Sequence, residues 1–150
     1  MISVIVNPVA GSGLAQSIGE KVEALLTARG IPHTVHHTER VGHATELARS
    51  AAQSGADTVL SVGGDGTLNE TAAGLVGTGT ALGVIPAGTG NDFVKVIGTP
   101  QKWDDALAYV LSHPAHPLDT GTVNDRFFIN VCGAGFDVMV LDYANKAKRH

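Results

Sequence analysis

Three aspartates stand where an apolar run gives way to glycine or threonine. Asp65 lies inside Gly63-Gly64-Asp65-Gly66-Thr67, Asp92 closes Gly88-Thr89-Gly90-Asn91-Asp92, and Asp119 precedes Thr120-Gly121. A carboxylate between glycines at a strand end is not a core residue. It can cap the helix that follows, accept a ligand hydroxyl, or hold a hydrated Mg²⁺. Thr67, Asn69, Thr89 and Asn91 add hydroxyl and amide groups beside the first two. Together the three aspartates suggest a metal–nucleotide site, and each alone also fits a turn or a cap. A further loop, Asn7-Pro8-Val9-Ala10-Gly11-Ser12-Gly13, suits phosphate, because a glycine-rich turn feeding a helix aims free N–H groups and the positive dipole end at one place. It is not a Walker loop, since no Lys-Ser/Thr follows. It also departs from the dinucleotide fingerprint, whose third small position is Gln16 here. Tight strand–helix packing explains the same glycines equally well.

These loops need a scaffold, and the hydropathy pattern supplies one. Residues 2–6, 57–62 and 81–85 are short apolar, β-branched runs and read as buried strands; 32–37 is a weaker one. Helical spacing follows each of them. It carries Ile18, Val22, Leu25 and Leu26, then Ala44, Leu47, Ala48 and Ala51, then a helix over 67–76, a short one near 91–96, and the stripe of Trp103, Ala106, Leu107, Val110 and Leu111. Two strands over 118–123 and 126–131, joined by Asn124-Asp125, and a last helix from Phe136 complete the reading. Such alternation predicts an α/β fold, a doubly wound, mostly parallel sheet with helices on both faces. Ligands of these sheets bind beyond the carboxyl ends of the strands. Nine glycines (11, 13, 63, 64, 66, 88, 90, 133 and 135) occupy four such loops, so all four are expected to line one cleft.

Composition agrees with a packed domain. Glycine makes up 19 of 150 residues, yet Leu, Ile, Val and Phe make up 40, enough apolar mass for a core. A single cysteine, Cys132, excludes a disulfide framework and a cysteine-rich zinc site. No apolar run approaches the ~18 residues of a membrane span, and the N-terminus lacks the pattern of a signal peptide, so a cytoplasmic protein is expected. A net charge of −4 gives no support for nucleic-acid binding. The histidines at 33, 36 and 37 lack a carboxylate or thiol at ligand spacing and read as a solvated strand edge. Cys132 reads as a small residue at a strand end, and Trp103 as core.

In order and wording, the loops resemble the diacylglycerol kinase catalytic-domain family, which includes bacterial lipid kinases, sphingosine kinases and ceramide kinases. Asn7-Pro8 with Gly11 and Gly13 is similar to its first phosphate loop, GGDGTLNE at 63–70 to its central signature, IPAGTGNDFVK at 85–95 to its third motif, and FINVCGAGFD at 128–137 to its fourth. The resemblance implies an ATP- and Mg²⁺-dependent lipid kinase. Gly11, Ser12 and Gly13 would meet phosphate. Gly63, Gly64, Asp65, Gly66 and Thr67 would hold the nucleotide and its Mg²⁺ surroundings, with Glu70 on the ribose side. Gly88, Thr89, Gly90, Asn91 and Asp92 would build the opposite wall, and Asp65, Asp92 and Asp119 would serve the metal. Asp65 is also the residue here nearest to a catalytic base, although a metal- or phosphate-side role suits it better. The family often carries a Lys or Arg just after the first loop; here the first base is Lys21. The family's nucleotide-binding domain is followed by a β-sandwich. The expectation is therefore one nucleotide-binding domain over 1–150, with the sandwich and its proton-accepting acid outside it. A lipid at a membrane surface would be met transiently, and the apolar stripe of Phe136, Met139, Val140, Tyr143 and Ala147 would favour a homodimer. An enzyme similar to NAD kinase, or a non-catalytic ATP-binding module, are the competing readings.

Overall fold

The computed structural model describes residues 1–133 and 138–139. The chain parts into two compact units, Met1–Leu118 and a second from Asp119 onward.

The first unit holds four strands, β1 (Ile2–Val6), β2 (His33–His37), β3 (Thr58–Gly63) and β4 (Ala81–Pro86). They form one sheet in the order β2-β1-β3-β4, every neighbouring pair parallel. Five helices connect and cover them: α1 (Leu14–Ala28), α2 (His43–Gln53), α3 (Asp65–Leu75), the short α4 (Asp92–Ile97) and α5 (Trp103–Ser112). A 3-10 turn over Ala10–Gly13 leads into α1. Alternation along the strands sends apolar side chains to both faces, as a doubly covered parallel sheet requires. On one face Val4, Val6, Leu60, Val62 and Ile85 pack with Ile18, Val22 and Leu26 of α1 and with Ala106 and Leu107 of α5. Trp103 packs against this cluster from α5. On the other face Ile5 and Val59 meet Ala44 and Ala48 of α2 and Leu75 of α3.

Strand register is what positions the site. Val6 is level with His37 of β2 and with Val62 of β3, and Gly63 is level with Pro86 of β4. All four strands therefore end at one edge, and the loops after them leave side by side. The expected parallel α/β sheet is the one observed, and its first four strands begin and end within a residue of the expectation.

The second unit departs from expectation. In place of two longer strands it forms β5 (Gly121–Val123) and β6 (Arg126–Phe128), an antiparallel pair that hydrogen-bonds only to itself among the described residues. Asn124 and Asp125 join them with φ of 48° and 62°, both left-handed, which matches the twist of a two-residue hairpin. Gly121 lies opposite Phe128, whose ring occupies the space a side chain at 121 would need. A two-stranded ribbon is marginally stable by itself, and residues 118–120 and 129–131 lie outside it. The loop at Gly133 thus follows no strand of the parallel sheet, so the expected fourth member of the glycine-loop set is not one by topology. Gly135, and the helix expected from Phe136 with Val140, Tyr143 and Ala147, lie outside the described residues.

Candidate functional site

The β1 loop begins with Asn7, whose amide is fixed at both ends. Its Nδ2 donates to Thr67 Oγ1 of α3 at 2.9 Å, and its Oδ1 accepts from the backbone N–H of Val9 at 3.3 Å. The backbone carbonyl of Asn7 accepts from the N–H of Ala10, which starts the turn. Gly11, Ser12 and Gly13 then follow one another in left-handed conformation, with φ of 59°, 58° and 93°. Ser12 is the costly member, because its Cβ crowds the carbonyl there. The turn delivers the chain into α1 without any side-chain cap and without an acidic residue in the first turn. The N–H of Leu14 turns back to the carbonyls of Ala10 and Gly11, and the positive dipole end of the fifteen-residue helix meets no acidic side chain in its first turn.

The β3 loop is shorter. Gly64 is extended and serves as N-cap of α3, which begins at Asp65, two residues earlier than its spacing predicts. Asp65 does not cap its own helix. Its Oδ2 accepts from the N–H of Asp92 at 3.2 Å and its Oδ1 from the N–H of Phe93 at 3.1 Å. It therefore caps α4, an element 27 residues further along the chain. Six residues cannot sustain a helix alone, and α4's first turn is held by this outside carboxylate together with the burial of Phe93 and Val94.

The β4 loop closes on itself through Asn91. Asn91 Oδ1 accepts from Gly88 N–H at 2.9 Å, and its Nδ2 donates to the carbonyl of Gly88 at 2.8 Å. This loop also packs backbone to backbone against its neighbours. A Cβ on Gly88 would fall 2.4 Å from the Cα of Gly64, and one on Gly11 would fall 2.3 Å from the carbonyl oxygen of Ala87. The N–H of Ala87 donates to the carbonyl of Gly63 at 2.8 Å. Loops after β1, β3 and β4 are thus in contact, and a hollow between the β3 and β4 segments is lined by Ser61, Gly63, Gly64, Asp65, Pro86 and Asn91, among others.

The predicted residues fall into groups. Asn7, Gly11, Ser12, Gly13, Gly63, Gly64, Asp65, Gly66, Thr67, Gly88, Thr89, Gly90, Asn91 and Asp92 all lie at the carboxyl edge of the one sheet. Glu70 lies midway along α3, where its backbone carbonyl accepts from Thr45 Oγ1 of α2 at 2.8 Å. Asp119 belongs to the second unit. Of the three aspartates, Asp65 and Asp92 flank Gly90, whose Cβ position would be 3.3 Å from an oxygen of each. Asp92 also accepts from Lys95 Nζ at 2.6 Å. Among the described residues no group of three His, Cys, Asp or Glu is placed to hold a metal by itself. The Asp65–Asp92 pair still fits Mg²⁺, which takes one or two carboxylates and completes its shell from phosphate oxygens and water.

One part of this edge carries a single glycine, Gly42, and no motif that marks it in the sequence. The loop after β2, residues 38–42, leaves beside the β1 loop, with Thr38 N–H donating to the carbonyl of Val6 at 2.9 Å. In it Arg40 pairs with Glu46 of α2 at 2.6 Å. The hydrogen bond from Arg40 holds the Glu46 carboxyl below its ordinary range, and the same bond pushes the Arg40 guanidinium up. The parallel register, not a motif, is what would have revealed it.

A parallel sheet whose carboxyl-edge loops are glycine-built and mutually packed defines an α/β protein of the kind whose ligands bind at that edge. The sequence pattern of the diacylglycerol kinase catalytic domain matches residues 1–123, and the chain belongs to that family. It is 36% identical over 137 residues to a diacylglycerol kinase of Bacillus subtilis, covering 88% of this chain and 45% of that one. To a diacylglycerol kinase of Mycobacterium tuberculosis it is 33% identical over 153 aligned residues, covering 98% and 50%. Its structure resembles the crystal structure of a diacylglycerol kinase from Bacillus anthracis with a TM-score of 0.76 and 33% identity, over 86% of this chain and 45% of that one. The chain thus spans about half the length of the relatives it matches. Among the described residues no helix is long and apolar enough to cross a membrane.

Proposed function

We propose that this chain carries the ATP- and Mg²⁺-binding part of a lipid kinase, which moves the γ-phosphoryl group of ATP to a lipid hydroxyl such as that of diacylglycerol. The observation that carries the reading is the uncapped start of α1 behind Gly11, Ser12 and Gly13, set against the packed loops of Gly64 and Gly88 in a member of this family. In this reading the backbone of residues 11–13 and the first turn of α1 hold phosphate oxygens. Asp65 and Asp92, which flank Gly90, would hold Mg²⁺ through oxygen ligands, and Glu70 lies toward the ribose. Bound Mg²⁺ supplies charge neutralisation for the phosphates. The chain's own contribution is position. Asn7, Thr67 and Asn91 fix the two loop walls, and Asp65 ties them to α4. The lipid is met at the face of a membrane from the cytoplasm. As its hydroxyl oxygen bonds the γ-phosphorus, the bond to the β-phosphate oxygen breaks, ADP departs, and the hydroxyl proton passes to a carboxylate base.

Calorimetric titration of ATP with Mg²⁺ into the 150-residue chain tests the reading. The wild type gives saturable heat. Asp65→Ala binds at least about tenfold more weakly, the equivalent of ~1.4 kcal/mol. Equal affinities remove Asp65 from the site, and a wild type silent at millimolar ATP overturns the nucleotide reading itself.

A further inference from the structure

Beneath the site runs a buried line of hydroxyl groups, which reaches the wall of the hollow at Ser61. Thr71, on the sheet-facing side of α3, has no exposed surface, and Ser61 of β3 is 1% exposed. Thr71 Oγ1 donates to the carbonyl of Thr67, one turn back, at 2.8 Å, and lies 3.2 Å from Ser61 Oγ. A hydroxyl has one proton, so with Thr71's given to Thr67 the Ser61 hydroxyl is the donor to Thr71. A threonine bonding back to the fourth preceding carbonyl reshapes the local turn, and that turn carries Thr67. Thr67 is 6% exposed and presents its Oγ1 to Asn7 Nδ2 at 2.9 Å. Through its other amide atom, Asn7 then takes the N–H of Val9. Four side chains thus link the floor of the sheet to the take-off of the β1 loop.

We infer that Thr71, seconded by Ser61, is a positioning residue for the β1 loop: it sets the turn that holds Thr67, and Thr67 sets the Asn7 amide from which residues 8–13 are launched. It acts without contact with a ligand. The inference rests on the proposed nucleotide role of that loop for its functional consequence, and on the hydrogen bonds alone for its structural content. A buried hydroxyl pair costs more to leave half-satisfied than an isosteric apolar side chain in its place. Unlike the buried Ser3 hydroxyl, which has no partner among the described residues, the Ser61–Thr71 pair is bonded on toward the site, and that points to a geometric task.

Thr71→Val keeps the shape and removes the hydroxyl, and Thr71→Ser restores it. In ¹⁵N–¹H spectra of the full chain without ligand, Thr71→Val shifts the Asn7 side-chain amide signals and the backbone signals of Val9 and Ala10, and Thr71→Ser returns them toward wild type. In calorimetry Thr71→Val weakens Mg-ATP binding about fivefold, the size of one lost hydrogen bond, and Thr71→Ser recovers most of it. Should Thr71→Val fail to fold, Ser61→Ala interrupts the same line and is expected to shift the same signals. Superimposable Asn7, Val9 and Ala10 signals in a folded variant overturn the inference. A wild type that binds no ATP overturns the nucleotide reading, and the spectra then still decide whether the relay exists.

Discussion

The two edges of the parallel sheet connect its elements by opposite means. At the amino edge each turn closes on the helix it follows. Gly55 and Ala56, for example, donate back to the carbonyls of Ala52 and Ala51 of α2, and nothing lies within 4 Å of where a Gly55 side chain would start. At the carboxyl edge the loops are bound to one another. Gly88 rests on Gly64, Gly11 on the carbonyl of Ala87, Asn7 on Thr67, and the start of α4 on Asp65. The amino-edge turns are tied to one another by hydrogen bonds and an ion pair at the strand starts, such as the Met1 amine to Asp57 and Thr80 Oγ1 to the carbonyl of Ala56 at 2.9 Å. The carboxyl-edge loops also pack backbone on backbone, so damage there spreads from loop to loop.

The largest way to break this contrast is Gly88→Ala. Its new methyl would meet the Gly64 backbone, which cannot rotate aside, so both loops must move. We expect Mg-ATP affinity to fall beyond calorimetric detection, with a cost in stability of about 1–3 kcal/mol, read by chemical denaturation. A variant that binds as tightly as wild type would show the loops to be pliable. Gly55→Ala sharpens the contrast from the other edge. Left-handed φ of 81° at an open position makes it lose about 1–2 kcal/mol of stability while its Mg-ATP affinity stays within about twofold. The smallest effect belongs to Glu46→Gln at the exposed start of α2. The carboxyl of Glu46 is held below its unfolded value by Arg40, so its stabilisation is present above the ordinary carboxylate range and fades as pH falls through the lowered value. The melting difference between wild type and Glu46→Gln is therefore greatest near neutrality and closes in acid.

The sheet was legible because each of its strands is a short β-branched run between helical stripes, and those patterns are local. The carboxyl-edge loops were legible for the same reason: glycine, asparagine and aspartate at strand ends mark them. Pairing was not. Asp65 reads naturally as the cap of its own helix, because sequence shows the nearest free N–H groups and hides those 27 residues away. The loop at 38–42 escaped notice because register places it there and no glycine pattern announces it. The hairpin of β5 and β6 was overextended, since apolar residues such as Leu118 and Val131 prolong the pattern while both remain exposed.

Asp65 also imposes an order on events. The cap of α4 exists only while the first turn of α3 is formed, whereas α3 draws no cap from α4. Losing the first turn of α3 therefore removes the cap of α4, while opening α4 leaves the bonds of α3 intact. The short helix leans on a neighbour for its start and on the burial of Phe93 and Val94 for its seat.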